Sequence, residues 1–109
     1  MKLIIQIPCY NEETTLASVL SELPKKIDGI DEIETMIIDD GSSDKTIEIA
    51  NTHKVDYIVK HVGNKGLGNA FRSGVEKALR EKADILVNTD GDNQYPGKYI
   101  SDLVQPIIQ

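Results

Sequence analysis

Hydrophobic residues along the chain fall into two kinds of segment that alternate. Short, nearly unbroken apolar runs occur four times, and each is followed by a longer segment in which apolar residues recur every three to four positions. The short runs predict buried β-strands and the spaced segments predict amphipathic helices. The strands are predicted over residues 3–7, 34–38, 55–62 and 83–87.

A helix is expected after each strand. Asn11 is predicted to cap the first helix, with Glu12 in its first turn, where acidic side chains favour the helix dipole. Ser42 or Ser43 is predicted to cap the second helix, and Pro96 to lie in the first turn of the fourth. The predicted apolar faces of the first, third and fourth helices are Leu16, Val19, Leu20 and Leu23; Ala70, Phe71, Gly74, Val75, Ala78 and Leu79; and Ile100, Leu103 and Val104.

The repeated strand–helix order predicts how the sheet is built. Strands that alternate with helices pair in parallel and are joined by right-handed crossovers. Runs that are apolar on both faces are typical of a sheet that helices cover on both sides. We therefore expect residues 1–109 to form a single α/β domain, a three-layer α/β/α sandwich around a mainly parallel sheet.

Composition and charge exclude several classes of partner. The formal net charge is −6 and the pI is about 4.8, and no basic stripe is present, which argues against nucleic acid or anionic lipid as a main partner. The single cysteine, Cys9, rules out an internal disulfide and fits a reducing cytosol. We expect it to be a buried, inert thiol. His53 and His61 lack the spacing of metal ligands and are expected at the surface.

Unusual polar segments follow all four predicted strands. They are "PCYNEE", "DDGSSD", "NKGLGNAFR" and "TDGDNQYP", and three of the four are acidic. The carboxyl ends of parallel strands lie at one edge of a sheet, where ligands bind near the point at which strand order reverses. These four segments are therefore expected to form one site.

The fourth segment places two aspartates one residue apart directly after a buried strand. Asp90 and Asp92 should repel each other unless a positive group lies between them. Lys65 and Arg72 are candidates for that group, and so is a hard divalent cation such as Mg²⁺ or Mn²⁺, to which Gln94 offers a further oxygen.

A structural explanation exists for each of the other charged residues. Asp39 and Asp40 could cap the next helix, Glu12 could serve only the helix dipole, and Lys65 and Arg72 could be solvated. The aspartate pair could likewise be a solvated turn. Their joint occurrence at one edge of the sheet favours a binding site over these separate explanations.

Four segments together resemble glycosyltransferase family 2, and its dolichol-phosphate-mannose-synthase-like branch in particular. They are "IPCYNEE", "IIDDGSSDKT", "NKGLGNAFRSG" and "ILVNTDGDNQYPG", in the family's order and over nearly the whole chain. The resemblance implies a GT-A-type, Rossmann-like nucleotide-binding fold. It also implies a nucleotide-diphosphate-sugar donor, a divalent metal ion (Mn²⁺ or Mg²⁺) and inversion at the anomeric carbon.

The resemblance also implies roles for particular residues. Those expected at the nucleotide are Pro8, Tyr10, Glu12, Asp39, Asp40, Lys65, Arg72 and Asp90. Among them Asp40, with Asp39 beside it, would hydrogen-bond the base. Asp90 and Asp92 would form the family's D-x-D pair, which holds the ribose and the metal ion, with Gln94 assisting.

Family members usually continue well beyond this length. The general base and the acceptor contacts are therefore expected beyond Gln109, with no catalytic residue within this chain. The acceptor would be a lipid phosphate, such as a polyprenyl phosphate, or a saccharide, and the protein would be cytoplasmic, at the inner face of the membrane in its longer form. The open edge of the fourth strand offers a surface for a homodimer. Two alternatives stay open: a non-catalytic sugar-nucleotide-binding module and, less favoured because "PCYNEE" lacks glycine, a nucleotidyltransferase.

Overall fold

Strands and helices alternate through the chain, as the hydrophobic pattern predicts. The computed structural model describes residues 1–62, 65–89 and 98–108. Its elements are β1 (Lys2–Cys9), α1 (Leu16–Glu22), β2 (Glu32–Asp39), α2 (Thr46–Thr52), β3 (Tyr57–Lys60), α3 (Leu67–Arg80), β4 (Ile85–Asn88) and α4 (Lys98–Ile108). All four predicted strands are present, although β3 is shorter than the apolar run that predicts it. Pro96, predicted in the first turn of the last helix, lies outside the described residues.

The four strands form one parallel sheet in the order β3-β2-β1-β4. The central strand β1 pairs with β2 over its whole length, so that Cys9 lies beside Asp39, and with β4 over four residues. The chain crosses from one side of β1 to the other between β3 and β4. Strand order therefore reverses at β1 and β4, which is where open α/β sheets bind ligands.

Helices cover both faces of the sheet. One face, which includes Leu3 and Ile5, packs against buried residues of α1, α2 and α4. The other face packs Ile4 of β1 and Met36 of β2 against the alanines of α3. Because β1 is buried on both faces, its apolar residues do not alternate with polar ones. The three-layer sandwich is confirmed.

The starts of two helices differ from the prediction. The N-cap of α1 is Thr15, not Asn11, and that of α2 is Lys45, not Ser42 or Ser43. Asn11 takes a left-handed backbone conformation, with φ of 52°, and lies outside the helix. These polar residues make hydrogen bonds between loops instead of capping their own helices, and such bonds compete with local capping.

Three large side chains predicted on apolar helix faces are solvent-exposed. Phe71 is 50% exposed, Leu79 72% and Leu103 42%. Helix α3 contacts the sheet through a narrow stripe of small residues that includes Ala70 and Ala78, so its larger apolar side chains fall beside the contact. No helix within the described ranges has the length and apolar character needed to cross a membrane.

Candidate functional site

The loops that follow the parallel strands meet at the carboxyl edge of the sheet. Backbone hydrogen bonds continue the strand pairing into these loops: Asp40 N–H donates to Cys9 O at 2.9 Å, and His61 N–H donates to Asp39 O at 2.8 Å. The first three loops therefore leave the sheet side by side. This is the arrangement that the parallel topology predicts.

Side chains join the loop after β1 to the loop after β2. The backbone N–H of Asn11 donates to Ser42 Oγ at 2.9 Å, and the backbone N–H of Ser43 donates to the side-chain Oδ1 of Asn11 at 2.9 Å. Glu12 N–H donates to Thr46 Oγ1 at 2.9 Å. Each bond joins residues more than thirty positions apart, which is why local sequence patterns did not reveal it. Together the bonds determine the backbone path of the first loop.

The first loop carries three predicted nucleotide-binding residues. Pro8 and Glu12 are half-buried, whereas Tyr10 is 47% exposed. The Glu12 carboxylate accepts a hydrogen bond from Thr15 Oγ1 at 3.1 Å, and the Glu12 carbonyl accepts from Leu16 N–H at 2.9 Å. Glu12 therefore lies in the turn before α1, not in its first turn. An exposed aromatic ring held by this turn offers a flat apolar surface at the ligand edge.

The carboxylate of Asp40 is buried and closely held. Its Oδ1 accepts from Lys65 N–H at 2.8 Å and lies 3.1 Å from His61 Nδ1, while Oδ2 accepts from Gly66 N–H at 2.8 Å. Burial alone would raise the pKa of Asp40, but the hydrogen bonds from Lys65, His61 and Gly66 outweigh it and lower the pKa below its usual value. Asp40 therefore anchors the glycine loop after β3 and does not cap α2.

Gly66 ends that loop in a conformation that favours glycine. Its φ is 88°, and it is the N-cap residue of α3. Other residues rarely adopt this backbone conformation. In this conformation the Gly66 N–H donates to the Asp40 carboxylate. The path of the chain into α3 therefore depends on both Gly66 and Asp40.

His61 is enclosed, and its expected surface position is wrong. Its side chain is 10% exposed, and its Nε2 lies 2.7 Å from Ser73 Oγ on α3. Asp40, His61 and Ser73 thus form a chain of hydrogen bonds from the end of β2 to α3. His53, in contrast, is exposed as predicted.

Asp39 is held more loosely than its neighbour. Its side chain is 4% exposed, and both carboxylate oxygens share the Ser42 N–H at 3.3 Å. Among the described residues, this long, shared hydrogen bond leaves acceptor capacity on the Asp39 carboxylate. Asp39 can therefore accept a further donor group at the edge of the sheet.

The remaining predicted residues of the described part differ in exposure. The side chains of Lys65 and Arg72 are exposed, on the glycine loop and on α3, where their charges are available to an anion. Cys9 is buried, its Sγ lies 3.6 Å from Ile7 O, and burial raises the pKa of its thiol to about 12. The predicted burial of Cys9 is confirmed, and the raised pKa of the thiol fits an unreactive side chain.

The predicted metal ligands Asp90, Asp92 and Gln94 lie outside the described residues. Within residues 1–62, 65–89 and 98–108, no group of three or more histidine, cysteine or acidic side chains could hold a metal ion. The carboxylate of Asp40 already accepts three protein donors among the described residues, two on Oδ1 and one on Oδ2, so it keeps one acceptor position on Oδ2. The aspartate pair and Gln94 are oxygen ligands, the type that Mg²⁺ and Mn²⁺ prefer, so their chemistry fits such an ion.

A cavity of about 400 Å³ lies elsewhere, near the start of β2. It is lined by residues that include Leu23, Ile33, His53, Lys54 and Val55. None of the predicted site residues contributes to it. Because it lies away from the carboxyl edge of the sheet, we do not assign it to the candidate site.

Comparison with known sequences identifies the family. A family model described as Glycosyl transferase family 2 matches residues 4–109. The chain is 36% identical over 118 residues to UDP-N-acetylglucosamine–dolichyl-phosphate N-acetylglucosaminyltransferase of Methanococcus voltae, covering 94% of this chain and 45% of that protein. It is 31% identical over 110 residues to dolichol-phosphate mannosyltransferase of Pyrococcus furiosus, covering 98% and 30%. The chain thus spans less than half the length of these curated relatives.

Solved structures share the fold. Glucosyl-3-phosphoglycerate synthase from Mycobacterium tuberculosis, solved with Mn²⁺, uridine diphosphate and glucosyl-3-phosphoglycerate, matches with a TM-score of 0.81 at 24% identity, over 99% of this chain and 40% of that one. A structure of the same enzyme with Mg²⁺ and uridine diphosphate matches with a TM-score of 0.77 at 23% identity, over the same shares of the two chains. The fold is therefore the predicted GT-A fold.

Proposed function

Because the chain belongs to glycosyl transferase family 2, we propose that it forms the donor-binding part of an inverting glycosyltransferase. The donor is a nucleotide-diphosphate sugar held with a divalent metal ion, and the transferred group is a hexose. One observation carries the proposal. The loops after β1, β2 and β3 converge at the carboxyl edge of the sheet, and hydrogen bonds join them there.

The described residues supply distinct parts of the donor site. Pro8 and the exposed ring of Tyr10 would line the nucleoside pocket, while Asp39 and Asp40 would provide acceptors for N–H groups of the base. Lys65 is exposed on the glycine loop and would lie near the diphosphate. We assign Glu12 to the wall of the same pocket and Arg72, exposed on α3, to the donor's negative charge.

Asp90, Asp92 and Gln94 would hold the metal ion, with Asp90 also contacting the ribose. When bound, Mn²⁺ or Mg²⁺ neutralises the charge that develops on the departing nucleoside diphosphate. This chain's own contribution is to place the donor at the end of β1 and β4.

We propose a polyprenyl phosphate as the acceptor, because the names of two relatives include dolichyl or dolichol phosphate. A saccharide is the alternative acceptor. The general base and the acceptor contacts would come from residues that follow this segment in a longer chain. Such an enzyme would act in the cytoplasm, at the inner face of the membrane.

The direct test is calorimetric titration of the chain with uridine- and guanosine-diphosphate sugars, in Mn²⁺ and in EDTA. Saturable binding of one sugar nucleotide, strengthened by Mn²⁺, is expected. Inorganic phosphate and nucleosides are the controls that separate donor recognition from charge alone. Absence of binding by every sugar nucleotide tested would overturn the proposal.

We further propose that β4 offers a surface for self-association. Among the described strands, β4 pairs with β1 on one side and lies at the end of the sheet. An unpaired strand edge favours pairing with a second copy. Light scattering should show a dimer whose proportion rises with concentration, and a strictly monomeric chain would contradict this part alone.

A non-catalytic sugar-nucleotide-binding module is the second candidate, because the chain spans less than half of its curated relatives. It predicts donor binding without transfer even when the chain is part of a longer polypeptide. Transfer activity of such a longer polypeptide would exclude it.

A further inference from the structure

A polar side chain occupies the centre of the sheet. Gln6 of β1 is fully buried and lies in register with Met36 of β2 and Asn88 of β4. Its Nε2 donates a hydrogen bond to Asn88 Oδ1 at 2.9 Å. Its Oε1 has no hydrogen-bond partner among the residues that the structure describes. Burying an amide in this way is unfavourable compared with an apolar side chain such as that of Met36.

Helix α3 leaves space for this amide at Gly74. A Cβ atom at position 74 would lie 1.7 Å from Gln6 Oε1 and 2.3 Å from Gln6 Cδ, so no larger residue fits there while Gln6 keeps its place. A glycine inside a helix is destabilising compared with alanine. Gly74 and the buried Gln6 amide each lower the stability of the folded chain. Together they allow the hydrogen bond between Gln6 and Asn88.

That contact lies at the end of an edge strand. β4 has four residues and pairs with β1 from Ile85 to Asn88. A slip of one residue would turn each of its side chains to the opposite face of the sheet. The Gln6–Asn88 hydrogen bond opposes such a slip, because a shifted register would leave the buried Gln6 amide without its partner, whereas the exposed Asn88 could bond water. Gln6 also accepts, through its backbone carbonyl, the N–H of Thr89 at 2.9 Å.

We propose that Gln6 is a positioning residue. Through the Asn88 side chain it holds the last residues of β4 in one register and thereby sets where the chain leaves the sheet after Thr89. With respect to the donor, the inference rests on the proposed function, since the aspartate pair follows Thr89 in sequence. Gln6 itself is buried and does not touch the donor.

Hydrogen exchange of the Thr89 amide tests the positioning without any ligand. Gln6→Leu removes the hydrogen bond to Asn88 and puts an apolar side chain of similar size in its place. We expect Thr89 exchange to become at least about tenfold faster in this variant, relative to the amide of Ile37 in β2. Met36→Ala is the matched control, because Met36 is buried in register with Gln6 but belongs to β2, which does not pair with β4. Thr89 protection that changes no more in Gln6→Leu than in Met36→Ala would overturn the proposal.

A paired exchange separates the hydrogen bond from side-chain volume. The double variant Gln6→Asn, Asn88→Gln keeps two amides of the same combined length between the strands. Thr89 protection should return to within about threefold of the original chain. If the Thr89 amide of the double variant exchanges as fast as it does in Gln6→Leu, the hydrogen bond between the two side-chain amides is not what protects Thr89.

Donor titration then connects the positioning to binding. In Gln6→Leu, the gain in sugar-nucleotide affinity from Mn²⁺ should fall about tenfold. Affinity for the nucleotide in EDTA should fall less than the Mn²⁺ gain does, since the first three loops are unchanged and only the proposed ribose contact of Asp90 would be affected. If the original chain binds no sugar nucleotide, the proposed function fails, and the exchange data still decide the role of Gln6. An unchanged Mn²⁺ gain in Gln6→Leu would overturn the link to the donor.

Discussion

His61 Nδ1 lies 3.1 Å from Asp40 Oδ1, and both side chains are nearly enclosed. The same carboxylate accepts the N–H groups of Lys65 and Gly66, so one buried acid organises the end of β3 and the start of α3. Lys65 and Gly66, which lead into α3, are therefore held by a residue of the loop after β2, 25 positions before Lys65 in the chain.

Asp40 should make stability depend on pH in the acid range. Its pKa is lowered in the folded state from an ordinary value of 3.8. The stabilisation is therefore complete above that value and is lost as pH falls through the lowered folded pKa. Urea unfolding between pH 7 and pH 3 should show a flatter acid limb for Asp40→Asn than for the original chain. The Asp44 carboxyl, whose pKa is also lowered, should preserve part of the dependence. Equal acid limbs in the two proteins would contradict the prediction.

Asp40→Ala should weaken nucleoside binding as well as binding of the whole donor. Removing the carboxylate leaves the buried N–H groups of the glycine loop unpaired, at a cost of about 1–3 kcal/mol in stability. Asp56→Ala is the matched control, since Asp56 accepts the Thr35 N–H just before β3, away from the carboxyl edge of the sheet, and should cost about 1 kcal/mol with unchanged affinity. Titration with uridine and guanosine would show the difference. Unchanged affinity per folded molecule in Asp40→Ala would limit its role to structure.

Gly66, the N-cap of α3, and Gly68, inside that helix, should respond in opposite directions to alanine. Gly66 has a φ of 88°, a ψ of 162° and open space at its Cβ position, so Gly66→Ala should cost about 1–3 kcal/mol from backbone strain alone. Gly68 lies in the first turn of α3 with open space too, and Gly68→Ala should stabilise by about 0.5–1 kcal/mol. Thermal unfolding of both variants measures this, and destabilisation by both would refute it.

Metal-dependent donor affinity should be lost in Asp92→Ala. A carboxylate that holds the donor through a bound ion contributes a few kcal/mol to affinity in Mn²⁺ and nothing in EDTA. Calorimetry in the two buffers measures the difference, with Asp102→Ala of α4 as a control for the loss of one negative charge. Equal nucleotide affinity of the original chain in Mn²⁺ and in EDTA would falsify the prediction.

The 109-residue chain should bind its donor but transfer no sugar. A positioned general base contributes about 10²–10⁴-fold to such a reaction, and positioning of the acceptor contributes more. Both are expected from residues that follow in a longer chain. The assay incubates this chain, and separately a longer form, with a radiolabelled donor, Mn²⁺ and polyprenyl phosphate. Turnover by this chain at the longer form's rate would refute the prediction.

Much of the fold could be predicted from local patterns. Unbroken apolar runs separated by amphipathic segments predict a parallel sheet between two helix layers, and parallel strands necessarily bring their carboxyl ends to one edge. Tyr10, Asp39, Asp40 and Lys65 could be assigned to that edge for this reason alone. Their place there follows from topology, without knowledge of any side-chain contact.

The contacts within the site could not be predicted in this way. Asn11 has the residue type of a helix cap, yet it pairs with Ser42 and Ser43, about thirty positions away, which local capping rules do not take into account. The spacing of the two histidines in the sequence gives no sign that His61 is enclosed. Its enclosure comes from Asp40 and from Ser73 of α3, which lie far from it in sequence.

Gln6 shows the same division most clearly. Its position in an apolar run predicts a buried strand residue, and it is one. That its amide meets Asn88, and that Gly74 leaves room for it, depends on strand order, register and the packing of α3 against the sheet. Periodicity of apolar residues predicts which helices and strands have a buried face, but Phe71, Leu79 and Leu103 show that the packing of the elements decides which residues are covered. Pairing of polar groups depends on the assembled chain, because each partner comes from a different strand or helix.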